Sequence, residues 1–291
     1  MKQVKYWILA TRPQTLIASI GPVLISTIFS YKFFNFNLII FLFIIISAVL
    51  IQIMTNFIND LYDFKKGADT SSRLGPKRMV QSGHISQKEM KLGALITLIL
   101  SVFSGFYLVL IGGWPILLIG LSGFLFAYLY TATRFSIAYN GLGEVFVFLY
   151  FGVIASIGTF YIYNLEFNFQ ALLIGIIFGF LNTSLLVINN LRDYDADKLS
   201  KKYTTAVIFG KMFAKIELFL INMGALISLY FFLESINKNF TFSIVFVIFI
   251  MFLLYKLMID DQYLYYKALK QFSCYLISIT IVLSFVLLYD F

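Results

Sequence analysis

A chain of 291 residues that is 60% hydrophobic, only 12% charged and has a mean hydropathy of +0.90 cannot be a water-soluble globular domain. Its single cysteine, Cys274, excludes a disulfide framework and a cysteine-based metal centre. The formal net charge of +8 would ordinarily suggest nucleic acid or an anionic surface, but the way it is distributed excludes a nucleic-acid partner and points to a membrane.

In chain order, Met1 to Thr11 is short, basic and aromatic, and reads as an interfacial helix with Trp7 at headgroup level. Arg12-Pro13 opens a first span that ends near Phe34, too long to be a cleavable signal. A second span runs from about Asn37 to Asn59 and leads into a polar loop. Further spans are expected near Met90–Ile111, Pro115–Ala132 and Leu142–Ile162. A sixth, near Phe169–Leu191, leads into a second polar loop. The last three lie near Phe213–Leu233, Phe240–Leu257 and Leu269–Leu288. Each approaches the roughly 20 residues needed to cross a bilayer. The fold expected is therefore all-α and polytopic, with nine transmembrane helices.

Nine spans sort the charges. Twenty of the 22 lysines and arginines fall on the side of the N-terminus, and only Lys32 and Lys238 on the other. The positive-inside rule then makes the N-terminus and both polar loops cytoplasmic and the C-terminus external, in a cell (inner) membrane surrounded by lipid. The two polar loops follow spans two and six. That offset divides a single domain, residues 1–291, into four-helix halves, about 12–134 and 140–258, plus a ninth helix at about 269–288.

The first polar stretch, NFINDLYDFKKGADTSSRLGPKRMVQSG, covers Asn56 to Gly83, and the second, NNLRDYDADKLSKK, covers Asn189 to Lys202. Both contain Asn-x-x-x-Asp, as Asn59 with Asp63 and Asn189 with Asp193. On a helix, residues four apart share a face, so Asn59 and Asp63 stack with Asp60 one turn back, and Asn189, Asp193 and Asp197 form a ladder. Carboxylates stacked this closely repel one another unless a cation lies between them, and oxygen-only donors favour Mg2+. One acidic cluster at a membrane edge is ordinarily a solvated helix end. Two on one face of the membrane, with the same spacing, point instead to a diphosphate held through metal.

The basic residues on that face supply candidate substrate contacts: Arg12, Lys66, Arg73, Lys77 and Arg78 near the first loop, Arg192, Lys201 and Lys202 near the second. Tyr130 and Arg134, at i and i+4, join them where the fourth span meets the cytoplasm, and Glu144 begins the fifth span on the same side. Gly67, Gly75 and Gly83 read as turn residues, His84 as a loop residue without function and Cys274 as packing. A dry aromatic-lined bundle beneath a metal-binding mouth suits an allylic diphosphate with a hydrocarbon tail. Metal and basic groups stabilise the departing diphosphate, and aromatic faces stabilise the carbocation left behind. A secondary transporter would instead place its ionisable residues near mid-bilayer on broken helices.

NDLYDFKKGAD, RLGPKRMVQSG and NNLRDYDADKLSKKYTTAVIFG together resemble the UbiA superfamily of intramembrane prenyltransferases, over essentially the whole chain. The six-residue step from Asp63 to Asp69, the RLGP loop, TRPQTL and GLGE are similar to the branch that prenylates 1,4-dihydroxy-2-naphthoate. The resemblance implies helices around a central cavity open to lipid, with Asn59, Asp63 and Asp69 in the first Mg2+-binding motif and Asp193 and Asp197 in the second. With the spacing argument, the expected metal set is Asn59, Asp60, Asp63, Asp69, Asn189, Asp193 and Asp197, and the catalytic set Asp60, Asp63 and Asp193. Tyr130-x-x-x-Arg134 is similar to a Tyr-x-x-x-Lys pair of the family, and Thr205 stands for a usual leucine, a change expected to be without effect. The implied reaction joins a polyprenyl diphosphate to 1,4-dihydroxy-2-naphthoate with loss of its carboxylate, giving demethylmenaquinone. Another aromatic acceptor, such as 4-hydroxybenzoate or homogentisate, would use the same metal site.

Overall fold

The computed structural model describes residues 2–33, 36–69, 75–238 and 262–289. Its elements are α1 (Lys2–Ala10), α2 (Pro13–Tyr31), α3 (Leu38–Lys65), α4 (Gln87–Thr131), a 3₁₀ turn (Ile137–Tyr139), α5 (Gly143–Phe148), a π-helical segment (Leu149–Ile154), α6 (Ala155–Asn164), α7 (Phe169–Arg192), α8 (Tyr194–Leu199), α9 (Thr205–Phe209), α10 (Lys211–Ser235) and α11 (Gln262–Leu288). Side-chain caps start three of the long ones, α3, α4 and α7: Asn37 accepts the amides of Ile39 and Ile40, Ser86 and Glu89 form a reciprocal capping box, and Asn168 accepts the amide of Ala171. The chain is a multi-pass, all-helical membrane protein.

Among the described residues, seven helical elements are long and apolar enough to cross a membrane. One of them, α4, is two passes. A straight helix of 45 residues would extend about 68 Å, more than twice the hydrocarbon core. At Gly113 the backbone takes φ 66° and ψ −150°, which only glycine adopts readily, and Pro115 then opens the second arm. Both arms return to the same end of α3: Gly93 lies against Trp7 and Phe57, and the Thr131 hydroxyl donates to Asn59 Oδ1 at 2.7 Å. Eight of the nine expected spans thus have a counterpart. The span expected at Phe240–Leu257 lies outside the described residues.

α7 is the helix around which the others assemble, with 72% of its spanning window buried against 22% for α3 and for α4. Phe178 and Leu181 on α7 pack with Phe29 of α2, Phe160 of α6, Phe232 of α10 and Phe272 of α11 in one apolar core. The approach of the π-helical segment to α7 is close because three glycines meet there. A Cβ on Gly152 would lie 2.3 Å from the Gly179 Cα and 2.4 Å from the Gly175 carbonyl oxygen. Asn182, one turn further along α7, donates to the carbonyls of Phe151 at 2.6 Å and Ala18 at 2.9 Å, satisfying backbone that the wider helix leaves exposed. Gly152→Ala therefore forces two backbones apart and should cost about 1–3 kcal/mol, read as a lower unfolding temperature in detergent. An unchanged midpoint would contradict this packing.

Candidate active site

A cavity of about 760 Å³ opens at the end of the bundle where α3, α7 and the two polar loops meet. Its mouth is lined by Arg12, Asn59, Asp63, Arg78, Tyr130, Glu144, Asn189 and Lys202, and its far end by Val23, Ile44, Leu108, Ile116 and Ile162. Between them lies an aromatic cluster in which Phe126 is 4.7 Å from Phe146 and 5.3 Å from Tyr150, centroid to centroid. Phe126 is one helical turn, about 6 Å, below Tyr130. The gradient from ionic mouth to apolar end suits an amphipathic molecule with an anionic head.

The α3 helix runs six residues past the expected end of the second span, so Asn59, Asp60 and Asp63 stand on regular helix. Asp63 is 5% exposed; its Oδ1 accepts the Tyr139 hydroxyl at 2.9 Å and its Oδ2 accepts Arg78 at 3.3 Å. Arg78 also donates through Nε to Asp69 Oδ1 at 3.2 Å, so one guanidinium lies between the two carboxylates. The second ladder survives a break in its helix. Asp193 is the C-cap of α7, yet its amide donates to Asn189 O at 3.0 Å and the Asp197 amide donates to Asp193 O at 2.8 Å, which keeps the four-residue step. Arg192 holds Asp193 at 2.6 Å in an almost fully buried pair and reaches Asn189 Oδ1 at 2.6 Å; Lys202 approaches Asp197 at 3.4 Å.

Three expectations need correction. Asp60 does not line the cavity: its two oxygens accept the backbone amides of Met79 at 3.0 Å and Val80 at 3.2 Å, anchoring the first loop. Arg134 does not share a face with Tyr130, because α4 ends at Thr131; its guanidinium is exposed and lies 5.8 Å from the Phe135 ring centroid. Thr205 is not neutral. Its hydroxyl donates to Glu144 Oε1 at 2.7 Å and lies 3.1 Å from Glu217 Oε2. Lys77 and Lys201 are exposed, and Arg73 lies outside the described residues.

Tyr139 is the residue that sequence reasoning missed. Lys66 Nζ sits 4.2 Å from its ring centroid and Lys202 Nζ 5.9 Å away, while its hydroxyl is on Asp63 and its carbonyl accepts the Tyr203 amide. It therefore ties the first acidic loop to the second. Lys66 reinforces this by donating to Thr133 O at 2.8 Å and to the Ser136 hydroxyl. Burial, and then the Asp63 charge, raise the Tyr139 phenol well above its ordinary value, so it remains a donor. Burial lowers the Lys66 ammonium despite the opposing pull of Asp63. A signal was available: Ala138-Tyr139-Asn140-Gly141 is a turn on the basic side, apolar enough to be buried.

The donors, buried carboxylates and half-buried amide oxygens, suit a hard cation: Asn59, Asp63 and Asp69 on one side, Asn189, Asp193 and Asp197 on the other. Of these, Asn59, Asp63 and Asn189 line the cavity and the other three carboxylates do not. Among the described residues no three acidic, histidine or cysteine side chains converge on one point. The reason is visible in the ion pairs, since Arg78, Arg192 and Lys202 neutralise the carboxylates that a metal would draw together. Because Asp60 serves the loop backbone, Asp60→Asn should lower thermal stability by about 1–3 kcal/mol through loss of one amide acceptor. Loss of activity with an unchanged melting temperature would return Asp60 to the chemistry.

Comparison with known proteins follows this geometry. The chain is 34% identical over 200 residues to 1,4-dihydroxy-2-naphthoate octaprenyltransferase of Bacillus subtilis (strain 168), a match covering 69% of this chain and 64% of that protein. It is 31% identical over 235 residues to the enzyme of the same name from Escherichia coli (strain K12), covering 79% of this chain and 76% of that one. Thus the match spans just under two thirds of the Bacillus protein's length. In fold the chain is similar to a UbiA homolog from Archaeoglobus fulgidus bound to DMAPP and Mg2+, with a TM-score of 0.69 at 17% identity over 96% of this chain and 99% of that one. An apo UbiA homolog from Aeropyrum pernix K1 gives 0.69 at 12% identity over 92% and 96%. The model of the UbiA prenyltransferase family matches residues 19–286, and on that extent the chain belongs to the UbiA prenyltransferase family.

Proposed function

We propose that this protein transfers a polyprenyl chain from polyprenyl diphosphate to 1,4-dihydroxy-2-naphthoate, with loss of the acceptor carboxylate, to give demethylmenaquinol, the reduced form of demethylmenaquinone. The observation that carries the reading is that Asn59 and Asp63 of the first ladder and Asn189 of the second line the mouth of one apolar cavity, with Tyr139 tying the two loops together. Relatives that bear this activity in their names, at 34% and 31% identity, support the acceptor. In this reading the whole chain is one domain whose halves share the site. The N-terminus and both loops face the cytoplasm and the C-terminus faces out, which the lysine and arginine distribution supports.

Each group then has a task set by its surroundings. Mg2+ held by Asp63 and Asp69, with Asn59, and by Asp193 and Asp197, with Asn189, would neutralise charge on the leaving diphosphate. A UbiA homolog of similar fold bound to DMAPP and Mg2+ supports that requirement. Arg78 and Lys202, now on the carboxylates, are placed to move onto phosphate oxygens. Tyr139 and Lys66 hold the two loops in register. Phe126, Phe146 and Tyr150 present ring faces one turn below the mouth, where the allylic carbon would carry positive charge. The cavity beyond takes the chain and keeps water out.

The deciding experiment is a chromosomal deletion followed by quinone analysis. The strain should lose demethylmenaquinone and menaquinone and accumulate dihydroxynaphthoate, and a plasmid copy should restore both quinones. Asp193→Ala is a poor probe, because it strands a buried Arg192 at about 3–5 kcal/mol. Asp63→Asn and Asp193→Asn keep the shape; both should insert normally yet fail to complement, with turnover down at least about 100-fold. Purified wild type should stop in EDTA and recover with Mg2+. An unchanged quinone profile in the deletion strain would refute the acceptor, and near-normal turnover of either variant would refute the metal assignment.

A further inference from the structure

One buried carboxylate at the mouth takes no part in the diphosphate chemistry. Glu144 opens α5, is 7% exposed, and lies in the cavity wall with Tyr130, Gly143 and Asn190. Its Oε1 accepts two hydrogens, from Asn190 Nδ2 at 2.8 Å and from Thr205 Oγ1 at 2.7 Å. The same Thr205 Oγ1 lies 3.1 Å from Oε2 of Glu217, a partly exposed residue in the second turn of α10. A threonine hydroxyl owns a single hydrogen. If it goes to Glu144, none is left for Glu217, and two ionised carboxylates around one hydroxyl would repel. Both contacts are hydrogen bonds only when one of the two carboxyls is an acid donating to Thr205 Oγ1, and the second donor on Glu144, Asn190 Nδ2, leaves that part to Glu217. Glu144, with two donors on one oxygen, is then the ionised end. The row runs from the surface of α10 to the cavity wall, and it holds one transferable proton.

We propose that Glu144 receives the ring-hydroxyl proton of the aromatic acceptor during prenyl transfer, and that Thr205 and Glu217 are the path by which this proton exchanges with water. The inference rests on the reading of the site as one that alkylates a hydroxylated aromatic ring. The step balances without an oxidant or reductant. The acceptor O–H bond breaks, the proton goes to Glu144, and the oxygen's electron pair moves into the ring. The ring carbon that bears the carboxylate forms a bond to the allylic carbon, whose C–O bond to diphosphate breaks with the pair leaving on diphosphate. The resulting β-keto carboxylate loses carbon dioxide, and its bonding pair returns through the ring to the oxygen. The naphtholate takes a proton from solvent, while Glu144 releases the proton it took through Thr205 and Glu217 to water. Glu144 is the catalytic residue; Thr205 and Glu217 position and recharge it. A carboxylate here also sorts the acceptor's groups, since it attracts a hydroxyl and repels a carboxylate.

The test uses full-length enzyme in detergent with a polyprenyl diphosphate and 1,4-dihydroxy-2-naphthoate. Glu144→Gln should lower kcat by about 100-fold or more while KM for the prenyl diphosphate stays within about twofold. Thr205→Val and Glu217→Gln should each lower kcat roughly tenfold, and Thr205→Ser should restore it. Glu217→Gln is the sharpest arm, because an amide can still donate to Thr205 and preserve structure but cannot pass on a proton. A spectroscopic arm is independent of turnover: with an unreactive prenyl thiodiphosphate, the bound naphthoate should show the longer-wavelength absorption of its naphtholate in wild type and lose it in Glu144→Gln. If wild type prenylates 4-hydroxybenzoate and not the naphthoate, the substrate reading fails, and the same variants are compared on that acceptor's hydroxyl. Full turnover and a retained naphtholate band in Glu144→Gln would overturn the proposal. Wild-type kcat in both Thr205→Val and Glu217→Gln would overturn the path.

Discussion

The structure depends on how negative charge is held at the edge of a bilayer. Asp63, Asp69, Asp193 and Asp197 are all at most 9% exposed, and Asp63 lines the mouth of an apolar cavity. Burying an ionised carboxylate is costly unless an opposite charge accompanies it. Arg78 answers Asp63 and Asp69, Arg192 answers Asp193, and Lys202 answers Asp197. The loops follow from those pairs. Arg78 can reach α3 only because Asp60 ties the Met79 and Val80 amides back to the same helix. Tyr139 then links that assembly to the second loop through Asp63 and Tyr203.

The same pairs explain why the site can change state. Arg78 and Lys202 are partly accessible, with side chains 11% and 14% exposed, whereas Arg192 is 1% exposed. The first two are accessible enough for the proposed exchange onto a phosphate, whereas Arg192 is enclosed with Asp193. A structural cation and exchangeable ones are thus distinguished by burial alone. The rigid part beneath is α7, held to the π-helical segment by Gly152, Gly175 and Gly179 and by Asn182, so the second ladder projects from the most enclosed helix.

Much of this was legible in the sequence, and what was not has physical reasons. Hydropathy and the lysine and arginine alternation located the spans, because the bilayer imposes both length and charge placement. The Asn189–Asp193–Asp197 ladder was legible because backbone hydrogen bonds carry the four-residue step across the end of α7. The same rule failed for Tyr130 and Arg134, since spacing has meaning only inside a helix and α4 stops between them. Asp60 failed differently: two acids on one helix, Asp60 and Asp63, cannot be divided between loop and cavity until the loop's path is known. Tyr139 meets Asp63 across 76 residues of chain and Thr205 meets Glu144 across 61, and no local pattern encodes such meetings. The leucine-to-threonine change at 205 was visible but lacked its partners.

The central claim is that the two acidic ladders form one site. It is tested most directly by pulsed electron paramagnetic resonance on enzyme loaded with Mn2+ in place of Mg2+ and with a prenyl thiodiphosphate. Two ligand sets across one diphosphate put the ions roughly 4–8 Å apart, so they should be spin-coupled and both should show ³¹P hyperfine coupling. Either Asp63→Asn or Asp193→Asn should abolish the ion–ion coupling. Magnetically isolated ions, or ³¹P coupling confined to one of them, would contradict a shared site.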